Sequence, residues 1–223
     1  NNLGVSLQEL GRLEEAEASY RQALARKPDY AKAQNNLGTV LKDQGRPEEA
    51  VAYYQQALAL TPDFTEAHSN LLLTMLYSPS STADAIAVAH RNWDDQYARP
   101  LASRIKHHEN DRDPERRLRV GYVSADFFSH SVSYFVEPLL AAHDRANLEV
   151  VCYSTGVRAD VVTSRLQALS DVWQNIAGLS DEAVVERIAA DRVDILVDLS
   201  GHTARNRLLV FARRPAPVQV SYL

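Results

Sequence analysis

Residues 124–133 contain the first side chains with catalytic potential, Asp126 and His130, four positions apart. The segment follows an apolar run and precedes an amphipathic one, so its polar side chains fall between a predicted strand and a predicted helix. A carboxylate that holds an imidazole leaves the second ring nitrogen to face a substrate hydroxyl or phosphate. The residues leave an alternative open, in which Asp126 and Ser131 cap the helix and His130 is an ordinary surface residue.

A second polar segment, residues 199–206, carries His202, Thr203 and Arg205. Gly201 frees the backbone there, so His202, Arg205 and the start of the following helix can together meet an anion. A plain turn from a strand into a helix is the alternative. We therefore treat this segment as a second candidate binding loop.

Metal and thiol chemistry have weaker support. His107 and His108 are adjacent, but no cysteine or carboxylate pattern at ligand spacing surrounds them, which favours solvated histidines over a metal site. Cys152 lies in an apolar run and is expected to be a buried structural thiol. The glycine-rich dinucleotide motif, the P-loop and the nucleophile elbow are all absent, which disfavours dehydrogenases, kinases and serine hydrolases.

The elements that must position these loops alternate between strand-like and helix-like patterns from residue 118 onward. Such alternation predicts a parallel sheet with helices on both faces, with ligands bound beyond the carboxyl ends of the strands. The predicted strands are residues 118–124, 149–155, 172–177, 194–199 and 218–223. The predicted helices are residues 132–142, 160–169, 181–192 and 206–213.

The first part of the chain repeats itself every 34 residues, with Asn1-Asn2-Leu3-Gly4 matched by Asn35-Asn36-Leu37-Gly38 and then by Ser69-Asn70-Leu71-Leu72. This is the period of the tetratricopeptide repeat, a helix, turn and helix that stacks into a solenoid. Asn2, Asn36 and Asn70 recur on one helix face, and a row of amides can hydrogen-bond an extended peptide backbone. Packing or capping within the array is the equally open alternative.

The sequence therefore predicts four regions: repeats at residues 1–77, a capping helix at 78–103, a charged linker at 104–117 and an α/β lobe at 118–223. Thr82 or Ser81 can cap the helix that follows the repeats. The chain opens inside a repeat helix without a polar capping segment, so we expect the natural protein to begin earlier.

Composition narrows the classes of partner. The 223 residues are 45% hydrophobic and 24% charged, as in globular proteins, and the net charge of -5 disfavours a nucleic acid partner. No apolar stretch is long enough to span a membrane. The single cysteine fits a reducing compartment, so we expect a cytoplasmic protein without a membrane partner.

Four stretches carry a resemblance to a known family: RVGYVSADF at 119–127, HSVSYF at 130–135, DILVDLSGHTA at 194–204 and RPAPVQV at 214–220. Found together behind tetratricopeptide repeats, they resemble the protein O-GlcNAc transferase family, and within it the SPINDLY branch. Animal O-GlcNAc transferases have proline and threonine after the loop histidine, whereas Ser131 and Val132 stand here. Leu73 likewise stands where those enzymes have a histidine. Both differences favour the SPINDLY branch.

The resemblance implies a GT-B catalytic region of two lobes, of which this chain supplies the amino-terminal one. It implies inverting transfer of N-acetylglucosamine from UDP-GlcNAc to serine or threonine hydroxyls, without a metal or other cofactor, on protein substrates recruited by the repeats. Asp126 and His130 match the family's active-site loop, which implies orienting or proton-relay work for Asp126 and donor or acceptor contacts for His130. Ser131, His202, Thr203 and Arg205 are implied donor or acceptor contacts.

Two alternatives to this function stay open. SPINDLY-type enzymes of plants use GDP-fucose, so the resemblance also fits a protein O-fucosyltransferase. A chain that lacks the second lobe is expected to be inactive by itself, and it can still act as a peptide-binding repeat module.

Overall fold

A computed structural model describes residues 1–222 and divides the chain into two compact units, Asn1–Asp95 and the residues from Gln96 onward. The first unit is entirely helical. Its helices are α1 (Asn2–Glu9), α2 (Leu13–Arg26), α3 (Ala31–Asp43), α4 (Pro47–Leu60), α5 (Thr65–Met75) and α6 (Ala83–Trp93). The predicted helix, turn and helix units are thereby confirmed.

Glycine and tyrosine pack against each other inside each of the first two repeats, which explains the sequence pattern. A Cβ on Gly4 would lie 2.6 Å from the Tyr20 ring, and one on Gly38 would lie 2.8 Å from the Tyr54 ring. Both tyrosines are fully buried, so the paired helices can approach only where no side chain intervenes. The first two repeats therefore require a glycine at this position, where the third has Leu72.

The segment after the repeats is more divided than the sequence predicts. Thr82 caps α6 by accepting a hydrogen bond from the backbone N–H of Ala85 at 3.2 Å, but the helix ends at Trp93. A π-helical turn (Asp94–Ala98) and a 3-10 helix (Arg99–Arg104) follow. The boundary between the two units falls between Asp95 and Gln96 in the sequence, inside the segment predicted as one capping helix.

The second unit is built on a five-stranded sheet in which all neighbouring strands are parallel. Its strand order is β3-β2-β1-β4-β5. The strands are β1 (Leu118–Ser124), β2 (Leu148–Ser154), β3 (Val172–Asn175), β4 (Ile195–Asp198) and β5 (Val218–Ser221), with helices α7 (Ser131–Ala142), α8 (Val161–Ala168), α9 (Asp181–Ala190) and α10 (Leu208–Ala212). The predicted parallel sheet is confirmed; Leu223, at the end of the last predicted strand, lies outside the described residues.

Separate hydrophobic cores cover the two faces of this sheet. One core joins α7 and α8 to the side chains of Val120, Tyr122 and Val150. The other joins α9 and α10 to those of Val123 and Val151. Because successive side chains of a strand point to opposite faces, the continuous apolar runs seen in the sequence serve both cores.

The predicted charged linker, residues 104–117, is anchored to the sheet by hydrogen bonds. The Asn110 amide donates to Asp194 Oδ1 at 2.7 Å, and Arg116 donates to both oxygens of Asp194 at 2.5 and 2.8 Å. The backbone N–H of Arg119, in β1, donates to the same carboxylate at 2.8 Å. The side chain of Asp194 is 8% exposed, so this segment is held at the amino edge of the sheet by a largely buried charge.

Among residues 1–222, no helix is long and apolar enough to cross a membrane.

Candidate active site

The two polar loops predicted from the sequence follow neighbouring strands. Residues 125–130 follow β1 and residues 199–207 follow β4, and these strands pair in parallel. From β1 the chain adds β2 and β3 on one side of the sheet, and it then adds β4 and β5 on the other side of β1. The direction in which strands are added therefore reverses between β1 and β4. In open parallel sheets, ligands bind in the crevice at this point.

The loop after β1 is held in place by the first turn of α8 and the residue that caps it. The hydroxyl of Thr163 donates to the Phe127 carbonyl at 2.7 Å, and the backbone N–H of Ser129 donates to Asp160 Oδ2 at 2.8 Å. Phe127 itself is 2% exposed, and its ring centroid lies 5.2 Å from that of Trp173. These contacts fix the backbone on both sides of Asp126.

His130 is the residue that caps α7. Its Nδ1 accepts a hydrogen bond from the backbone N–H of Val132 at 3.3 Å, which corrects the alternative in which Asp126 and Ser131 cap this helix. With Nδ1 as acceptor, the neutral ring carries its proton on Nε2. The cap therefore fixes both the tautomer and the direction of the imidazole.

Aromatic contacts flank this imidazole. The ring centroids of Phe128 and His130 are 5.6 Å apart, and the Arg158 guanidinium lies 5.8 Å from the Phe128 ring centroid. Ser131, the first residue of α7, is exposed beside His130. The edge of the loop thus offers an imidazole, a hydroxyl and an aromatic surface to a ligand.

Asp126 is partly buried, and its backbone N–H donates to Ser124 Oγ at 2.9 Å. Burial raises the pKa of its carboxyl, and the Arg205 guanidinium, like the His130 ring when that ring is protonated, acts against that rise. Within residues 1–222, no hydrogen bond joins the carboxylate of Asp126 to the imidazole of His130, so the expected pair is an electrostatic one. A carboxylate with a raised pKa is a better proton acceptor than an ordinary aspartate.

The loop after β4 is shaped by Asp198, a buried residue that the sequence analysis did not single out. Its carboxylate accepts the backbone N–H groups of Ser200 at 3.1 Å and Gly201 at 2.9 Å. The hydroxyl of Thr203 donates to the Ser200 carbonyl at 2.8 Å, so it supports the turn from within. An aspartate at the end of an apolar strand was the available sequence signal.

Arg205 has a left-handed backbone, with φ of 59°, a conformation that favours glycine. The hydroxyl of Thr155, after β2, donates to its carbonyl oxygen at 3.1 Å and helps to hold this conformation. Its charge acts on Asp126, although the two residues are far apart in the sequence. No pattern in the sequence predicts this role of Thr155.

His202, between these two residues in the same loop, is partly buried. The predicted helix of residues 206–213 is shorter than expected, because α10 spans only Leu208–Ala212. Arg205 therefore precedes the helix by a turn and is not part of its first turn. Arg205 is thus a loop residue, and the expected contact of this loop and the following helix with an anion stays a prediction.

The asparagines of the repeat array contact one another across neighbouring repeats. The amide of Asn36 donates to Asn1 Oδ1 at 3.2 Å, and that of Asn70 donates to Asn35 Oδ1 at 3.0 Å. Asn2 is exposed, whereas Asn36 and Asn70 are partly buried. The amides thus link successive repeats, and their role in peptide binding stays a prediction.

No group of three or more histidine, cysteine, aspartate or glutamate side chains in the described part of the chain could hold a metal ion.

Comparison with known proteins identifies the relatives of both units. Residues 67–223 match the model of glycosyl transferase family 41, and residues 1–63 match a tetratricopeptide repeat model. The chain is 45% identical over 156 residues to a probable UDP-N-acetylglucosamine–peptide N-acetylglucosaminyltransferase SPINDLY of Petunia hybrida, which covers 68% of this chain and 17% of that protein. It is 36% identical over 110 residues to the UDP-N-acetylglucosamine–peptide N-acetylglucosaminyltransferase of Caenorhabditis elegans, covering 48% of this chain and 10% of that protein.

A solved structure gives the same result over almost the whole chain. A mutant of the Thermobaculum terrenum O-GlcNAc transferase superposes with a TM-score of 0.93 and 43% identity, covering 99% of this chain and 42% of that one. The chain thus spans about a sixth of the length of the SPINDLY relatives. Because the family model matches more than half of its residues and the parallel sheet agrees with that match, the chain belongs to glycosyltransferase family 41.

Proposed function

We propose that this chain forms the repeat array and the amino-terminal catalytic lobe of a protein O-GlcNAc transferase. The enzyme moves N-acetylglucosamine from UDP-GlcNAc to serine or threonine hydroxyls of proteins. The observation that carries the proposal is the placement of Asp126 and His130 on the loop after β1 and of Arg205 on the loop after β4, at the crevice where the strand order of a family 41 chain reverses. The names of the relatives support the same donor.

His130 is the group we assign to the acceptor hydroxyl or to the donor. Its Nδ1 is occupied by the helix cap, so Nε2 is the nitrogen that contacts substrate. Asp126, whose pKa is raised by burial, orients this region or relays the proton that the hydroxyl loses as its oxygen bonds to the sugar. The positive charge of Arg205 beside them stabilises the negative charge of the departing nucleoside diphosphate, which lets the reaction proceed without a metal.

The remaining parts of the proposal concern the whole enzyme. A second lobe of a GT-B catalytic region completes the donor site, and Ser131, His202 and Thr203 contribute to the near side of it. The repeats bind protein substrates as extended peptides through Asn2, Asn36 and Asn70, and the enzyme works in the cytoplasm.

A chimeric enzyme tests the activity, because this chain matches 42% of the Thermobaculum enzyme with a TM-score of 0.93. This chain replaces the matching residues of the wild-type form of that enzyme, and the product is incubated with a serine-rich peptide and UDP-GlcNAc or GDP-fucose. Mass spectrometry should detect an N-acetylhexosamine on the peptide. A deoxyhexose from GDP-fucose would reassign the donor, and no transfer from either donor by a folded chimera would contradict the proposal.

Substitution of the loop histidine then tests the site. We expect His130→Ala to lower turnover about 100-fold or more, since a positioned polar catalytic group is lost. Ser129→Ala is the matched control, because Ser129 lies in the same loop and is exposed. Equal turnover in the two variants would remove His130 from the site.

The repeat proposal needs a separate readout. Asn36→Ala combined with Asn70→Ala should raise the KM for the peptide and leave turnover at saturating peptide unchanged. Because both amides also link neighbouring repeats, melting temperatures are measured alongside. A lower melting temperature with an unchanged KM would assign these asparagines to packing alone.

A further inference from the structure

At the amino-terminal ends of the strands, opposite the candidate active site, lies a cavity of about 650 Å³ that the proposed function does not use. It lies between the anchored segment before β1 and the first residues of three strands, Leu118, Ile195 and Val218. The six residue steps of β1 place it about 20 Å from the loop of Asp126 and His130, at roughly 3.3 Å per residue. Its size falls in the range of small-molecule sites in proteins.

Cationic side chains dominate the polar part of the lining. Lys106, Arg112 and Arg214 all border the cavity, and none of them forms an ion pair within residues 1–222. His107 and His108 border it as well and add ring nitrogens that can donate hydrogen bonds. Cations gathered in a concave site without carboxylate partners attract anions.

The carboxylates of the lining do not cancel this charge. Asp194 is already engaged by Arg116, by an asparagine amide and by a backbone N–H. Asp111 is the other carboxylate, and its Oδ1 accepts the backbone N–H of Asp113 at 3.0 Å. With four cationic and two carboxylate side chains, the lining keeps a surplus of two positive charges.

Arg214 stands where the backbone favours glycine. It follows the last turn of α10 with φ of 47°, the left-handed position that commonly ends a helix. Its neighbour Arg213 turns inward and pairs with Glu182 at 2.5 Å, whereas Arg214 is exposed and borders the cavity. An arginine at this position strains the backbone, which a glycine would not do.

We propose that this cavity binds a small phosphate-bearing molecule with an apolar body, in the class of nucleoside phosphates. Lys106, Arg112 and Arg214 hold the phosphate groups, since cationic donors form the strongest hydrogen bonds to phosphate oxygens. The apolar body packs against the wall of Leu118, Ile195 and Val218. This site is separate from the proposed donor site, which lies at the other edge of the sheet.

Calorimetric titration of the chain with ADP tests the proposal, since its base differs from those of the two candidate donors. We expect one saturable site whose affinity falls at least tenfold when adenosine or pyrophosphate replaces ADP, as each lacks one half of the ligand. Higher salt should weaken ADP binding. No saturable binding of ADP, or equal affinity for pyrophosphate, would overturn the proposal.

Arg214→Gly separates binding from folding. Glycine adopts the left-handed backbone without strain, so this variant should melt at a higher temperature while binding ADP about tenfold more weakly, because a charged hydrogen bond is lost. Lys106→Gln and Arg112→Gln should each weaken binding to a similar degree. The controls Arg26→Gln and Arg91→Gln remove exposed cations of the helical unit and should bind ADP normally. Normal binding by Arg214→Gly would contradict the assignment.

Discussion

Replacing Gly156 with alanine should push the loop after β2 away from the loop after β1, which contains Asp126. An added Cβ would lie 2.5 Å from the backbone oxygen of Ala125, the residue before Asp126. The obstacle is backbone, which cannot rotate away as a flexible side chain can. The loops must separate by about 0.9 Å to restore an ordinary contact of 3.4 Å.

The size of the effect follows from this displacement. Overpacking of this kind costs about 1 to 3 kcal/mol of stability. Alanine also lowers the conformational entropy of the unfolded chain, which offsets about 0.4 to 1 kcal/mol of this loss of stability. This gain applies because Gly156 lies outside the left-handed region, so alanine can adopt its backbone. A shift approaching 1 Å beside a catalytic group lowers turnover about 100-fold.

The assay compares two glycine variants in the chimeric transferase. Gly11→Ala is the matched control: Gly11 has φ of 72° with nothing within 4 Å, so alanine strains the backbone by about 1 to 2 kcal/mol but moves no neighbour. Urea unfolding measures the stability of each variant, and initial rates measure turnover. We expect similar stability losses and a fall in turnover for Gly156→Ala alone. Equal turnover in both variants would refute the link between this contact and the site.

Three further predictions test single groups. Asp126→Asn should lower turnover about 100-fold, because the proton acceptor is lost. In the parent chimera, turnover should fall with decreasing pH at a point above the usual aspartate range, since burial raises the pKa of Asp126 and only the ionised form accepts the proton. Burial raises the pKa of the Cys152 thiol to about 12, so iodoacetamide at pH 8 should alkylate it only after unfolding in urea. For Asp194, burial acts to raise the pKa, but hydrogen bonds led by that from Arg116 lower it overall. Its stabilising effect is therefore present above the unfolded pKa of about 3.9 and is lost as the pH falls through the lower folded value, so Asp194→Asn should flatten the acid end of the stability curve.

Much of the fold could be predicted because local patterns reflect local backbone geometry. The 34-residue period and the glycine and tyrosine pairs within it specify helix pairs that pack closely. The alternation of apolar runs with amphipathic segments specifies strands joined by helices, and hence a parallel sheet. Both predictions are confirmed, and they place the candidate loops at the carboxyl edge.

The arrangement within the site depends on contacts between distant parts of the chain. The strand order brings the loop of Asp126 next to Arg205, and no local pattern encodes that order. The role of His130 as the helix cap, the hydrogen bond from Thr155 to Arg205, and the anchoring of the charged segment by Asp194 were also missed.

The sequence by itself determined the repeats, the strands and helices and the loops that carry polar side chains, because each depends on residues that are near one another in the chain. Only the tertiary structure decided which of those side chains share an electrostatic environment and where uncompensated cations surround a cavity. Hydrogen bonds and charge interactions act through space, so their pattern is fixed only when the sheet has brought its loops together.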